Sequence, residues 1–376
     1  MRVQTGREGG ARPRMVDVAR VAGVSQKSVS NVLSGYEHVS PALRAKVERA
    51  VALLGYVPNP AARTLRTGRT GVIALAVPNL SAPYFAELAS HLTDAADERG
   101  FTILIDETDG DEDREALIAR GLRHHLIDGL VLSPLAMDPA SIASAARDIP
   151  MVLLGERELP ASVDHVAIDN VVAAREATEH LLGLGRRRIA AVGGPLGDGA
   201  STGSLRLHGY RAALADAGIR EEGLVVPTRR LLRHNGMAAA EQLLGAARPP
   251  DAVFCFSDML AFGVMHALRM RGVRVPDDIA VVGFDDVTEA AYANPTLTTV
   301  HLDRRRIARA ALDVLVERID GTRTRSAGRV VIEHRLVVRE STGGRPDGSA
   351  SADATDPDEQ VAERVRAATG ARRGSR

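Results

Sequence analysis

Residues 17–35 read DVARVAGVSQKSVSNVLSG, and this stretch predicts a helix, a tight turn and a second helix. The valines and alanines of DVARVA recur at helical spacing, which gives the first helix one apolar face. Gly23 can adopt the left-handed backbone conformation that ends a helix and permits a sharp corner. Ser25 is then the expected N-cap of a second helix over about 26–34, and Gly35 is expected to end that helix.

The second helix has a polar outer face. Its valines and leucine form the inward face, which leaves Gln26, Lys27 and Asn31 pointing outward. Amides bond bidentately to adenine and lysine donates to guanine acceptors, so these side chains suit base edges in the major groove. The candidate contacts of this helix with DNA are Ser25, Gln26, Lys27, Ser28 and Asn31. The alternative is an ordinary helix pair, but the alanine, glycine and serine positions favour a DNA-binding helix-turn-helix.

Ser40 and Pro41 predict the start of a third helix, which ends at Gly55. Three short helices make a compact domain of the size of a DNA-reading module. The preceding residues 1–14 are rich in glycine and arginine, and we expect them to be disordered.

The segment after the third helix contains a possible DNA contact of a different kind. Pro60 can open a short helix that ends at Leu65, and a helix this short forms only when something packs against it. Leu65 is apolar between Arg63 and Arg66, which suits a wedge in a minor-groove base step with arginines on the phosphates. Spacing alone fits a flexible linker equally well.

Charge is distributed unevenly along the 376 residues, although the formal net charge is zero. Residues 1–66 contain 11 Lys and Arg against 4 Asp and Glu, whereas residues 67–344 contain 31 against 38. A basic N-terminal part on an acidic body predicts nucleic acid at one end only. A solvated basic tail is the alternative for the arginines of the first 14 residues.

Several classes of protein are disfavoured. No apolar run is long enough to span a bilayer, and the N-terminus lacks the apolar core of a secretory signal, so we expect a cytoplasmic protein. The single cysteine, Cys255, lies in the apolar run AVFCF and predicts a buried, inert thiol. The segment GGPLGDG lacks the spacing of a phosphate-binding loop, and no nucleophile elbow is present. We therefore expect no enzyme, no metal site and no cofactor.

From residue 71 onward, apolar runs alternate with helical patterns. Runs such as GVIALAV, DGLVLS, PMVLLG, RIAAVG and IAVVGF predict buried strands, and with intervening helices they predict parallel sheets covered on both faces. The series restarts near Arg188, which predicts two doubly wound subdomains with a ligand cleft beyond the carboxyl ends of their strands. A helix over 303–319 and one strand, RVVIEHRLVV, complete the expected fold.

Several motifs, in order and spacing, resemble those of LacI/GalR-type transcriptional regulators over about Met15 to Thr342. They are DVARVAGVSQKSVSNVLSG, VSPALRAKVERAVALLGYVPNPAARTLRTGRTG, VPNLSAPYFAEL, GPLGDGASTGSLRLHGYRAAL, FSDMLAFGVMHAL, RVPDDIAVVGFDD and LTTVHLD.

The resemblance implies an N-terminal all-α helix-turn-helix head, joined by a hinge helix to an α/β core of two doubly wound parallel-sheet subdomains similar to a periplasmic sugar-binding protein. The expected divisions are a disordered arm over 1–14, the head over 15–57, hinge and linker over 58–70, the core over 71–342 and a disordered tail over 343–376. Within the core, subdomain 1 is expected over about 71–168 and 302–326, and subdomain 2 over about 169–301 and 327–342.

The resemblance also implies site residues and partners. Gln26, Lys27 and Asn31 fall where the family reads bases, and Leu65, followed by Arg66, falls at the hinge leucine that enters the central minor-groove step. A dimer, or a higher oligomer, would read a roughly palindromic operator. Arg206 and Asp285 match the family's effector-binding positions in the cleft. Their position in the chain adds Tyr84, Phe85 and Ser257 to the expected effector-binding residues.

The chemistry of a sugar site supports these positions. Arg206 can clamp hydroxyls, a carboxylate or a phosphate through its planar fork, and Asp285 can accept from hydroxyls. Tyr84 and Phe85 suit either a ring face for the ligand or core packing. Asp258 and the pair Asp169–Asn170 are interpreted as helix caps.

The sequence therefore predicts a repressor that binds a palindromic operator as a dimer and responds to a small molecule, a sugar or sugar derivative, in the cleft. The alternative is a cytoplasmic sugar-binding protein with only non-specific affinity for DNA. Effector identity is not carried by the resemblance, because the chain departs from the family pattern at several positions. Ser257 stands in place of a common Asn, Gly155 falls where an Asp can occur, and Leu231 falls where an aromatic can occur.

Overall fold

The computed structural model describes residues 13–33, 36, 38–56, 68–120, 126–155, 160–194, 201–221 and 224–344. These residues form two compact units. The first consists of the described residues within 1–71 together with those within 125–128, and the second consists of the remaining ones.

The first unit contains three helices around a small apolar core. They are α1 (Met15–Ala22), α2 (Gln26–Leu33) and α3 (Pro41–Leu54). Val18, Val29 and Val47, one from each helix, are fully buried together. The predicted helix-turn-helix and its third helix are therefore present at the predicted places.

The ends of these helices follow the predicted capping residues. The hydroxyl oxygens of Ser25 and Ser40 each accept a hydrogen bond from the backbone N–H three residues further on, at 3.1 and 3.3 Å. Gly23 and Gly55 both have left-handed backbone angles, with φ of 65° and 59°, and end α1 and α3. Gly35, the predicted end of α2, lies outside the described residues.

The start of α1 is specified by an acceptor from inside the helix. Arg14 has no side-chain oxygen to cap the helix, but its own backbone N–H donates to the Asp17 carboxylate at 2.9 Å. Asp17 also pairs with Arg20 at 3.2 Å and places a negative charge in the first turn, where the helix dipole favours it. Asp17 thus compensates for the missing cap at Arg14.

The second unit is an α/β core with two six-stranded sheets. The first sheet has the order β2-β1-β3-β4-β5-β11 and is parallel throughout. Its strands are β1 (Val72–Val77), β2 (Thr102–Glu107), β3 (Gly129–Leu132), β4 (Met151–Leu154), β5 (Asp164–Ala167) and β11 (Arg329–Val331).

The second sheet has the order β7-β6-β8-β9-β10-β12, and only β12 runs antiparallel to its neighbour. Its strands are β6 (Ile189–Gly194), β7 (Val225–Pro227), β8 (Ala252–Cys255), β9 (Ala280–Asp285), β10 (Thr298–Leu302) and β12 (His334–Val337).

Helices connect the strands and cover the sheets, which leaves the central strands almost wholly buried. They are α4 (Pro83–Asp97), α5 (Glu112–Ala119), α6 (Pro139–Ala145), α7 (Asn170–Gly183), α8 (Thr202–Asp216), α9 (Arg233–Leu244), α10 (Asp258–Met270) and α11 (Arg304–Ile319). Helices α7 and α8 approach closely at Gly209, where an added Cβ would lie 2.2 Å from the carbonyl oxygen of Val171. The predicted doubly wound subdomains are confirmed.

Two details of the predicted strands are wrong. The run RVVIEHRLVV is not one strand, because Arg329–Val331 pairs with β5 in the first sheet and His334–Val337 pairs with β10 in the second. The chain therefore crosses between subdomains after Val331, and the expected boundary near residue 326 is too early. Strand β10 was not among the predicted strands, since its sequence TTVHL is polar, yet all five residues are buried.

Within the described ranges, no helix is long and apolar enough to cross a membrane. Cys255 is fully buried, as predicted, and this burial raises the pKa of its thiol well above the usual value.

Candidate effector cleft and DNA-reading helix

The core contains a cavity of about 640 Å³ at the carboxyl ends of the strands of both sheets. Its wall includes residues that end or directly follow β1, β3 and β4 of the first sheet and β9 of the second, and residues two positions after β7 and β8. The structure places all five predicted effector residues in this wall: Tyr84, Phe85, Arg206, Ser257 and Asp285. The cavity has the position expected for a ligand site in a doubly wound fold.

Arg206 is held in one orientation from several sides. It lies in the second turn of α8 and is only 6% exposed. Its Nε atom donates to the side-chain oxygen of Asn170 at 2.7 Å, and Nη1 donates to the carbonyl oxygen of Phe256. The guanidinium carbon lies 3.5 Å from the centre of the Phe284 ring, a cation–π geometry. Arg206 therefore presents a preoriented guanidinium in the cavity wall.

Asp285 ends β9 with an unusual backbone conformation, φ of 119°, beside the cavity. Desolvation raises the pKa of its carboxyl to about 7, although the nearby cations Arg206 and Arg304 oppose the shift, and Glu87 adds to it. The carboxyl group therefore titrates closer to neutral pH than an ordinary aspartate does. It can accept from a ligand hydroxyl when ionised and donate when protonated.

A charged clamp fixes the backbone next to Asp285. Arg304 at the start of α11 lies with its Nε atom 2.8 Å from Glu87 of α4. Its other nitrogens donate to the carbonyl oxygens of Asp285 and Asp286, at 2.5 and 2.9 Å. Glu87 in turn accepts from the backbone N–H of Thr288 at 3.0 Å. Glu87 and Arg304 belong to helices that pack with the first sheet. Together they hold the backbone at the end of β9, a strand of the second sheet.

The cap of α10 is Ser257 and not Asp258. The Ser257 hydroxyl oxygen accepts a hydrogen bond from the backbone N–H of Leu260 at 3.2 Å. Ser257 also lines the cavity. Asp258 is fully buried and accepts from the Thr299 hydroxyl at 2.6 Å and the Val287 backbone N–H at 2.9 Å. Burial raises its pKa well above the usual value. The interpretation of Asp258 as a cap is wrong: its carboxyl group links the start of α10 to β10 and to the segment after β9.

The interpretation of Asp169 and Asn170 as a cap is half right. The Asp169 carboxylate accepts from the backbone N–H of Val172 at 3.0 Å and caps α7. Asn170 is buried, lines the cavity and positions Arg206, a role that sequence reasoning missed. Its place three residues after the carboxyl end of β5 is the signal that points to it.

Tyr84 and Phe85 lie both in the cavity wall and against the buried core. Their rings meet edge to face with centres 5.0 Å apart at the start of α4, where Pro83 occupies the first turn. Both line the cavity, and both pack against the buried core. They form an aromatic part of the cavity wall that the core supports.

In the first unit, α2 presents a polar face. Gln26 and Lys27 are exposed, while Ser28 and Asn31 are half-buried. The hydroxyl of Ser25 is engaged with the backbone N–H of Ser28 and lies 2.9 Å from its hydroxyl, so this serine first of all fixes the helix start.

Other predicted features lie outside the described residues. They are the short helix from Pro60 with its candidate contacts Arg63, Leu65 and Arg66, most of the segment GGPLGDG, and the two termini over 1–12 and 345–376.

Comparison with known proteins agrees with this architecture. The model of bacterial regulatory proteins of the lacI family matches residues 14–59, and a periplasmic binding protein-like domain matches residues 178–342. The HTH-type transcriptional regulator CelR of Thermobifida fusca is 38% identical over 338 residues, which is 88% of this chain and 98% of CelR.

Two solved structures resemble the fold over the same extent. A complex of the transcriptional regulator CelR with cellobiose is 36% identical, with a TM-score of 0.64, and covers 88% of this chain and 100% of that one. The lac repressor dimer bound to operator and the anti-inducer ONPF is 26% identical, with a TM-score of 0.77, and covers 88% and 99%. The chain belongs to the lacI family of bacterial regulatory proteins.

Proposed function

We propose that this protein is a repressor that binds a palindromic operator as a homodimer and is controlled by a small carbohydrate in the cavity of its core. The observation that carries the proposal is the fixed Arg206 guanidinium in a cavity whose wall both subdomains supply. A ligand that contacts both subdomains can favour one relative arrangement over another, which is what control requires.

On the DNA side, the proposal assigns base contacts to Gln26, Lys27 and Asn31, with Ser25 and Ser28 at the start of the same helix. The exposure of Gln26 and Lys27 and the three-helix packing behind them support this assignment. We propose minor-groove contacts for Arg63, Leu65 and Arg66. In a symmetric dimer two such heads read two half-sites, which explains a palindromic operator.

On the ligand side, the proposal assigns hydroxyl recognition to Arg206, Asp285 and Ser257 and a ring-stacking wall to Tyr84 and Phe85. A few convergent polar groups on an apolar and aromatic wall are typical of a sugar site. CelR, a relative of comparable length, has a structure with cellobiose, which supports a carbohydrate here.

The proposed division of the chain keeps the head, linker, core and tail expected from sequence, with the last crossing between subdomains placed after Val331. The protein acts in the cytoplasm, where its operator lies, and has no catalytic role.

Control by the ligand sets a requirement on its binding. To raise the population of one subdomain arrangement from 1% to 99%, the ligand must bind that arrangement about ten-thousand-fold more tightly than the other.

The test measures operator affinity of the full chain by fluorescence anisotropy while mono- and disaccharides are added. We expect one sugar to change the affinity of the wild-type protein, and Arg206→Ala to lose this response while it still binds the operator. A full response in Arg206→Ala would remove Arg206 from the site. No response to any sugar that binds the core would contradict ligand control.

A further inference from the structure

One carboxylate holds the end of the linker. Of the expected linker over 58–70, the structure describes residues 68–70, and Gly71 leads directly into β1. Gly71 has a left-handed backbone conformation, φ of 74°, which glycine adopts without strain. The Asp128 carboxylate accepts hydrogen bonds from the backbone N–H groups of Thr70 and Gly71, both at 2.7 Å, and from the Thr70 hydroxyl at 3.0 Å. Three bonds to one side chain therefore fix the point where the linker ends.

These bonds join segments that are far apart in the chain. Asp128 directly precedes β3, and Gly71 directly precedes β1. The two strands are hydrogen-bonded neighbours that run parallel, so their amino ends lie at the same edge of the first sheet. An ionised carboxylate binds N–H and O–H donors more strongly than a neutral acceptor does. Asp128 therefore fixes the direction in which the chain enters β1.

The effector cavity lies at the opposite ends of the same two strands. Pro78 directly follows β1 and Ser133 directly follows β3, and both line the cavity. The strands have six and four residues, which at about 3.3 Å per residue span about 13–20 Å. All four residues of β3 are buried. Two paired strands thus connect the cavity with the end of the linker.

The cavity end of β3 is held in the same manner. Glu115 of α5 is fully buried, and its carboxylate accepts from three consecutive backbone N–H groups, those of residues 135–137, at 2.7–3.0 Å. Leu135 in this loop lines the cavity. A buried polar group whose hydrogen bonds are satisfied makes its surroundings rigid. Carboxylates therefore fix both ends of β3, Glu115 beside the cavity and Asp128 at the linker.

Helix α11 runs from the cavity to the same place. Arg304 at its start belongs to the clamp beside the cavity. Near its other end, Leu315 and Ile319 pack on Gly129, the residue after Asp128, where an added Cβ would lie 3.0 Å from each side chain. Only glycine permits this approach without displacing them. A movement of α11 is therefore felt at the start of β3.

We propose that Asp128 is a positioning residue that couples the cavity to operator binding. This inference rests on the proposed ligand control and names the residue through which that control reaches the linker. A ligand that moves the loop after β3 or the start of α11 shifts elements that meet at Asp128. The three bonds of its carboxylate pass the shift on to Thr70 and Gly71. A purely structural role would instead affect stability and leave the response to the ligand intact.

The experiment measures operator affinity of the full chain by fluorescence anisotropy, with and without saturating ribose, glucose, galactose or cellobiose. Asp128→Asn keeps the size of the side chain but replaces one acceptor oxygen by an amide nitrogen that only donates. A typical coupling changes affinity by about 5- to 150-fold, and we expect the sugar that does so in the wild type to change that of Asp128→Asn by less than about twofold. Calorimetry should find its sugar affinity nearly unchanged, since Asp128 is not among the described residues that line the cavity.

Hydrogen exchange followed by mass spectrometry tests the contact itself. Each amide of residues 70 and 71 donates to the Asp128 carboxylate, so the peptide that contains them should exchange about tenfold faster in Asp128→Asn. Peptides of the cavity wall should exchange as in the wild type.

Two further variants complete the design. Thr70→Val removes the hydroxyl bond from the linker side, so the response should fall by about twofold or more, and this variant decides the proposal should Asp128→Asn fail to fold. Asp148→Asn is the matched control, because Asp148 is an exposed aspartate that precedes β4 of the same sheet. It should keep the full response.

A full response in Asp128→Asn, or unchanged exchange at residues 70 and 71, overturns the proposal. So does an equal loss of response in Asp148→Asn, or a loss of sugar binding that accompanies the loss of response. The wild type separates this result from the proposed function. A wild type that responds to none of the four sugars contradicts the proposed ligand control, and the coupling falls with it. A wild type and an Asp128→Asn variant that respond equally overturn the coupling alone.

Discussion

The Nε atom of Arg304 lies 2.8 Å from a carboxylate oxygen of Glu87, beside the effector cavity. Both partners also bond to the backbone after β9, since Arg304 donates to the carbonyl of Asp286 and Glu87 accepts from the N–H of Thr288. Asp285, a proposed effector residue, lies within this clamp. The ion pair therefore connects the ligand wall of the second subdomain to two helices packed with the first.

Removal of one charge should weaken this connection. Glu87→Gln leaves the buried Arg304 without its ionic partner, and we expect the free energy of unfolding of the core to fall by about 1–3 kcal/mol. Urea denaturation of the full chain measures the change. Glu98→Gln is the control, because its pair with Arg309 is exposed on both sides and should contribute less than about 1 kcal/mol. Equal effects of the two variants would show that the clamp has no special role.

Asp285 should make stability depend on pH. Its folded-state pKa of about 7 exceeds the ordinary value of 3.8, so the folded chain retains a proton that the unfolded chain has lost. The resulting stabilisation is complete below about pH 4 and is lost as the pH rises through about 7. Relative to Asp285→Asn, the wild-type protein should therefore lose stability between these values. Asn is isosteric with Asp, so this substitution removes the titrating group without changing the size of the side chain.

The control for this titration is Asp278. Its exposed carboxylate pairs with Arg274, which lowers the pKa of Asp278 to about 2. The stabilisation from Asp278 is present above about pH 4 and is lost below it, so Asp278→Asn should run parallel to wild type between pH 4 and 7. Denaturant unfolding at a series of pH values compares the three proteins. A wild-type curve that stays parallel to Asp285→Asn would contradict the raised pKa.

Gln26 should determine sequence preference and not general affinity for DNA. Gln26→Ala removes a neutral amide from the exposed start of α2, so the loss should be about 1–3 kcal/mol on the preferred operator and near zero on random DNA. The slope of affinity with salt should stay unchanged, because no phosphate contact is lost. Filter binding at several salt concentrations measures both quantities. An equal loss on both duplexes would assign Gln26 to the phosphate backbone.

Leu65 provides the test of the linker, for which the sequence alone left two interpretations. Leu65→Ala should weaken operator binding and leave sugar affinity nearly unchanged, because an apolar wedge in a base step acts only on bound DNA. Electrophoretic mobility shift and calorimetry measure the two affinities. Unaltered operator affinity would identify the segment as a plain linker.

The local patterns predicted most of the fold because each depends on neighbouring residues. The corner at Gly23 and the cap at Ser40 are set within four residues, and the structure has both. The pattern does not identify strand β10, since its threonines look solvated, whereas Thr299 is buried with its hydroxyl donating a hydrogen bond to the Asp258 carboxyl group. That partner lies on another element, and only the fold brings the two together.

The same distinction holds for the candidate site. Arg206 and Asp285 were expected in the cleft from the resemblance, and the structure places both in the cavity wall. The role of Asn170 depends on a contact with Arg206, 36 residues further along the chain, which no local pattern reveals. The run RVVIEHRLVV was read as one strand because its apolar pattern does not identify the sheet with which each half pairs.

The central claim is that the three-helix unit is a head that binds DNA with sequence specificity. Its most direct test incubates the full chain with a pool of random duplexes at two salt concentrations and sequences the retained DNA. The account predicts a palindromic site with two half-sites and a steep loss of affinity at higher salt. Retention of DNA without a common sequence would contradict it and would leave a sugar-binding core with only non-specific affinity for DNA.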